Sequence, residues 1–309
     1  MLAIVVMFAM NNVFIKVAVA ELAPLPFVVA RFAIVLVLVW AWIAWRRIPA
    51  RIAASDVPTL ILGGVSGFAI VNAFVTIGMT RTSAFSVALL MNLSPVFTLM
   101  IARLLGLERP NPAQWLSVAI ALTGVFIFIG GSLPETDTER AIVGDILALI
   151  AAFAFAIYSF VARPIVVRCG AMVNTGWSVS IGMVAIAPWG FPASLEQSWS
   201  TLSPAVWGTL FYAGAIAMLA GYTLWSWAVA RAGVSRTAPY LFLVPVGTGI
   251  ISALFLGEEF TAGKLAGAAL VLTGTAGVRL LGERMTGGGR RKTEGGSERK
   301  VTDDLRDPA

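Results

Sequence analysis

Apolar runs of about twenty residues follow one another along almost the whole chain, each closed by charge, proline or glycine. That is the length an α-helix needs to cross the hydrocarbon core of a bilayer, about 30 Å thick. Ten runs can be read, at 2–20, 27–45, 57–79, 83–105, 113–130, 142–162, 173–189, 205–230, 236–256 and 263–281. The expected fold is therefore an all-α membrane protein with ten transmembrane helices.

Composition narrows the chemistry. Charged residues make up 12% of the 309, against roughly 25% in a soluble domain. Histidine is absent and Cys169 is the one cysteine. This removes His-ligated metal sites, Ser–His and Cys–His nucleophiles, disulfides and iron–sulfur clusters. No cofactor and no metal are expected. A net charge of +6 could point to nucleic acid, but Lys and Arg stand at the ends of apolar runs and in the tail. That placement orients a chain in a bilayer, so lipid is the expected partner and nucleic acid is not.

Two apparent motifs fail on their chemistry. Gly64-Val-Ser-Gly67 imitates an intramembrane serine protease, which needs a histidine base. Segment 257–264 imitates a phosphate-binding loop, but its glycines are wrongly spaced and Leu265 stands where Ser or Thr is required. No enzyme is expected. Ala18-Val19-Ala20 imitates a signal-peptidase site, yet no basic segment precedes it and Lys16 interrupts the run, so it reads as a retained helix.

A polar, acidic segment at 132–140 separates five runs from five. The expected organisation is a first repeat at 1–131, a periplasmic linker at 132–141, a second repeat at 142–281 and a disordered cytoplasmic tail at 282–309. Arg46, Arg47, Arg51, Arg103, Arg109, Arg163, Arg168, Arg231 and Arg236 fall, with the basic tail, in one set of alternate connections. Arg81, Arg140 and Lys264 fall in the other set. Cytoplasmic loops keep Lys and Arg, so both termini are expected in the cytoplasm.

The halves repeat one another. Arg81 and Arg231, Pro95 and Pro245, and Glu108 and Glu258 are each 150 residues apart, and the same offset lays Ala121-Leu-Thr-Gly-Val125 on Val271-Leu-Thr-Gly-Thr275. Between the first and sixth runs the register rests on hydropathy alone. A duplicated unit with an odd number of spans inserts its copies upside down relative to each other, an arrangement common in secondary transporters.

Asn12-Val-Phe-Ile-Lys16, Ala30-Arg31-Phe32, Pro95 with Leu107-Glu108 and Leu122-Thr-Gly124, then Pro245 with Gly257-Glu258-Glu259 and Leu272-Thr-Gly274, resemble a known pattern. It is that of the paired EamA domains of the drug/metabolite transporter superfamily, and the resemblance covers about residues 2–281. It implies a ten-helix inner-membrane carrier with two five-helix repeats around a central cavity, moving small metabolites by alternating access. The chain departs from the pattern in its first helix, where Met10-Asn11 replaces a Trp-Gly pair.

Polar side chains inside the runs are the candidates for that cavity. Asn11, Asn12, Asn72, Thr76 and Asn92 lie in the first half; Tyr158, Ser159, Tyr222, Trp225, Ser226 and Tyr240 lie in the second. Such groups suit a cavity holding a polar small-molecule substrate, and interhelical hydrogen bonding is the competing reading. Lys16 and Arg31 are intramembrane cations, functional candidates by default. Snorkelling to the outer surface, with Glu21 as partner for Lys16, competes. Pro95 and Pro245 free the carbonyls of Met91 and Leu241 at equivalent positions, which points to a binding site or hinge, with a packing kink as the alternative.

Glu108 and Glu258 are expected to cap or pair at the membrane surface, and Trp189, Trp199 and Trp207 to anchor there. Gly63-x-x-x-Gly67 and Gly263-x-x-x-Gly267 fit close helix contacts within the bundle or between the subunits of a homodimer. No Asp or Glu lies deep in a run, Asp145 standing near the start of the sixth. Coupling through a buried carboxylate is thereby disfavoured, and exchange, facilitated transport or coupling through Lys16 stay open. The expected function is secondary transport of small polar, amino-acid-like metabolites, in the export direction. A lipophilic-cation or drug exporter and a non-transporting scaffold or sensor are the alternatives.

Overall fold

A computed structural model describes residues 1–108, 110–131, 138–221, 223–224, 228, 231 and 237–281. Among these residues there is no strand. Among the described residues seven helices are long and apolar enough to cross a membrane: α2 (Pro24–Trp45), α3 (Ala54–Met79), α4 (Ala84–Leu104), α5 (Pro112–Gly130), α6 (Thr138–Cys169), α7 (Ala171–Glu196) and α10 (Ala262–Leu281). Three apolar helices are shorter: α1 (Leu2–Ala18), α8 (Pro204–Ala220) and α9 (Tyr240–Leu256). Tyr222, Trp225, Ser226, Arg109, Arg236, most of the linker and the whole tail lie outside the described residues.

Helix boundaries follow local chemistry. Pro24, Pro112 and Pro204 begin α2, α5 and α8, where a missing N–H costs nothing. Asn111 and Gln114 form a reciprocal capping box at the start of α5. The Ser83 hydroxyl accepts from the Ser86 N–H at the start of α4. Gly257, at φ 65°, ends α9 in the left-handed conformation that favours glycine. Helices α6 and α7 run past the apolar runs read at 142–162 and 173–189, because they continue through polar flanks and through Pro164 and Pro192. Hydropathy marks the membrane-embedded part of a helix and does not mark its end.

The outside of the bundle is apolar. Phe126, Val167, Val184, Leu254 and Phe255 are each at least 73% exposed. In water such a surface would drive aggregation, whereas lipid solvates it. This is a multi-pass membrane protein. Inside, Phe27, Phe32, Leu89, Leu90, Leu93 and Phe128 are fully buried in one core.

Lipid supplies no hydrophobic drive between helices, so close packing has to hold them together. The α5–α10 contact shows how. A methyl group added at Gly124 would fall 2.6 Å from the Val271 nitrogen and 2.9 Å from the Gly267 oxygen. One added at Gly274 would collide in the same way with the backbones of Ala121 and Ser117. Shifted by 150 residues, these two contacts are one contact. Phe128 meets Gly267 and Ser117 meets Gly277, so position rises along α5 as it falls along α10. The two helices therefore run antiparallel about a local two-fold axis. Gly63 and Gly67 face Tyr158, and Gly263 faces Gly131, so both glycine motifs make their close contacts within this chain.

Candidate functional site

Between the helices lies a cavity of about 310 Å³. Phe8, Asn11, Asn12 and Ile15 of α1, Arg31 of α2, and Gly67, Phe68, Val71, Asn72 and Val75 of α3 form part of its wall. Val87, Ala88, Met91, Asn92, Ser94 and Pro95 of α4 add another part. Phe155 of α6, Ala217 and Met218 of α8, Leu241 and Val244 of α9, and Arg279 of α10 complete the described lining. Both halves contribute equivalent positions. Gly67, Phe68, Met91 and Ser94 correspond, 150 residues on, to Ala217, Met218, Leu241 and Val244.

The backbone is irregular where these positions fall. Helix α3 widens to a π-helix over Val65–Ile70, and α8 does so over Tyr212–Ala220. Helix α4 breaks after Met91 and resumes at Ser94, with Pro95 in the first turn of the new segment. Helix α9 begins as a 3-10 helix to Phe242 and becomes α-helical from Leu243, with Pro245 in that first turn. Irregular backbone at membrane depth is tolerated where it lines a cavity or is buried in protein. π-Segments inside helices are often found at functional sites.

The polar side chains of the wall are held by specific bonds. Arg31 is 8% exposed; its Nε donates to the Ala213 carbonyl at 3.2 Å and its Nη1 to Asn72 Oδ1 at 3.3 Å. The Asn72 amide donates to the Phe68 carbonyl at 2.9 Å, inside the π-segment. Asn12 Nδ2 donates to Thr248 Oγ1 at 3.2 Å, joining α1 to α9. Asn92 Nδ2 donates to the Ala88 carbonyl at 3.1 Å, and Asn11 Oδ1 is buried without a hydrogen-bond partner.

Of the residues singled out from sequence, Asn11, Asn12, Asn72, Asn92 and Pro95 line the cavity. Thr76 is 1% exposed and donates to the Asn72 carbonyl, behind the wall. Tyr158 also stands behind it, accepting from Asn174 Nδ2 at 3.0 Å and packing edge-on against Phe68. Tyr240 and Pro245 are not among the lining residues. Neither is Lys16: its ammonium donates to the carbonyls of Met79 at 2.6 Å and Thr82 at 2.7 Å.

The expected Lys16–Glu21 pairing is not formed, because Glu21 accepts from the Ser203 backbone and hydroxyl. Arg31, for which snorkelling is the competing reading, is instead buried at the cavity, where the Ala213 carbonyl in the π-segment of α8 accepts from its Nε. Arg279, whose guanidinium lies 5.6 Å from the Phe242 ring centroid, has no place in the sequence reading. It stands two residues before the end of its run, where a basic residue reads as flanking charge.

A membrane-embedded helical bundle whose repeated halves share a partly polar cavity defines the class of small-solute carriers. The family model of EamA-like transporters matches residues 1–130 and 142–280. This chain belongs to the EamA-like transporter family.

An uncharacterized transporter of Archaeoglobus fulgidus is 25% identical, over 82% of this chain and 86% of its own length. A protein of Escherichia coli K12 named "Probable amino-acid metabolite efflux pump" is 28% identical, over 88% of this chain and 91% of its own length. One of Streptantibioticus cattleyicolor named "Probable terminal-alkyne amino-acid exporter" is 28% identical, over 76% of each. A solved crystal structure superposes with a TM-score of 0.61 at 17% identity, covering 92% of this chain and 97% of its own, which is a likeness of fold.

Proposed function

We propose that this protein exports small amino-acid-like solutes across the cell inner membrane by alternating access. In this reading ten helices cross the bilayer as two inverted five-helix repeats, 1–131 and 142–281, which rock about the shared cavity. Both termini face the cytoplasm, because the arginine-rich connections and the basic tail lie on that side. The antiparallel, reciprocal α5–α10 contact supports inversion of the repeats.

One observation carries the substrate reading: Arg31, oriented by Asn72 and Ala213, stands in the wall of a 310 Å³ cavity that also presents Asn11, Asn12 and Asn92. A guanidinium beside amide groups suits a carboxylate on a polar solute, and it disfavours a lipophilic cation. The names of the Escherichia coli and Streptantibioticus relatives support amino-acid-like cargo and the outward direction. Catalysis forms no part of this reading.

The test is efflux from proteoliposomes loaded with a mixed pool of amino acids, nucleosides and organic acids, compared with protein-free liposomes. Faster loss of amino acids or close carboxylate relatives is expected. Selective loss of nucleosides, or no selective loss from vesicles holding folded protein, would overturn the reading.

A further inference from the structure

The turn between α3 and α4, residues 80–83, is gripped by four charged side chains from three other parts of the chain. At the end of α3, Lys16 of α1 donates to the carbonyls of Met79 and Thr82 at 2.6 and 2.7 Å, and Arg140 of α6 donates to the Thr80 carbonyl at 3.1 Å. At the start of α4, the Glu258 carboxylate accepts from the Ala84 N–H at 2.8 Å and the Phe85 N–H at 3.5 Å. Asp145 of α6 accepts from the Thr82 hydroxyl at 2.7 Å.

The signs follow the helix termini. The last carbonyls of a helix and the first amides of the next lack intrahelical partners, and carry partial negative and positive charge respectively. Lys16 and Arg140 sit on the first set, Lys16 also reaching the Thr82 carbonyl in the turn, and Glu258 sits on the second. Lys16 belongs to the first half of the chain and Glu258 to the second, so the turn ties the halves together at this end.

The grip also adjoins the cavity. Ile15, next to Lys16, and Val87, three residues after Ala84, both line it, and each is 1% exposed. Met79, Thr82 and Asp145 are buried around it. We propose that Lys16 and Glu258 are gating residues, which hold the cavity shut at this end by gripping the α3–α4 turn and release the turn when the cavity opens there.

Release strips two half-buried charges and four backbone groups of their partners, a cost unless other partners replace them. Water entering the opened end replaces those partners, so the grip is reversible. The word gate rests on the alternating-access reading above, whereas the closure itself does not.

The experiment reads access without a substrate. In a Cys169→Ser background, Val87→Cys supplies one thiol beneath the turn, and a membrane-impermeant maleimide is applied to each face of sealed vesicles in turn. Lys16→Met and Glu258→Ala are each expected to raise the labelling rate about tenfold from one face only, the population shift that follows loss of charged hydrogen bonds. Lys16→Arg, which keeps donors for the carbonyls, is expected to stay near the parent rate.

Unchanged rates in both disruptive variants would overturn the proposal, as would an equal rise from both faces. Where either variant fails to reach the membrane, Glu258→Gln decides, since it loses the charge and replaces one of the two accepting oxygens by an NH2 donor: a rise supports the gate and an unchanged rate overturns it. A one-sided rise in labelling, with no efflux of any solute by the parent protein, would instead sink the carrier reading and leave the closure in place.

Discussion

Arg31 and Asn72 meet in the cavity wall, with Nη1 of the arginine donating to Oδ1 of the asparagine at 3.3 Å. The asparagine is itself held by the Phe68 carbonyl in a π-helical stretch of α3, and the arginine by the Ala213 carbonyl in a π-helical stretch of α8. The orientation of one guanidinium thus depends on the same irregularity in both halves of the chain.

Arg31→Lys keeps the charge and loses the planar fork, which cannot then reach both oxygens. The expected result in the efflux assay is a KM for a carboxylate solute about tenfold higher, with protein level unchanged. An unaltered KM would remove Arg31 from solute binding.

Asn12 and Thr248 share one hydrogen bond between α1 and α9. Asn12→Ala and Thr248→Val should each lower stability by about 0.6 kcal/mol, and the double variant by little more, because both remove the same bond. Thermal melts of the purified protein check this. Asn12→Ala and Asn92→Ala should in addition impair efflux without lowering protein level; wild-type efflux in both would return these amides to packing.

Gly124 and Gly274 occupy equivalent places in the α5–α10 contact, so Gly124→Val and Gly274→Val should deplete folded protein in the membrane to a similar extent. Gly208 has open space where a side chain would go, and Gly208→Ala is the matched control expected to be neutral. Tolerance of valine at both buried positions, read by detergent-resistant folded protein, would contradict the packing.

If the repeats are inverted as proposed, segments 132–141 and 282–309 belong on opposite sides of the membrane. Thr136→Cys and Ser297→Cys, each in a Cys169→Ser background, should therefore be labelled by impermeant maleimide from opposite faces. Labelling of both from one face would refute the topology.

Some of the site was legible before any coordinates. Asn11, Asn12, Asn72 and Asn92 are amides in apolar runs, and the cost of burying an unpaired amide in lipid points such residues inward, towards water or one another. Pro95 could be placed at a break because a missing donor interrupts a helix wherever it falls. The places of the two intramembrane cations were not legible in the same way. Distance from the run's end puts Lys16 and Arg31 on a par, and only their neighbours separate them: turn carbonyls of α3 for one, a π-helical carbonyl of α8 for the other.

Sequence by itself determined that this chain is helical and membrane-embedded and that it is built twice, because run length and a recurring offset of 150 residues are local or linear properties. Tertiary structure decided which polar groups face the cavity, that Arg279 joins them, and that Glu258 caps a helix 174 residues away. Those outcomes depend on where backbone carbonyls and amides are left without partners once the helices pack. Such vacancies arise from π-turns, breaks and helix ends brought together in space, and hydropathy along a line carries no record of them.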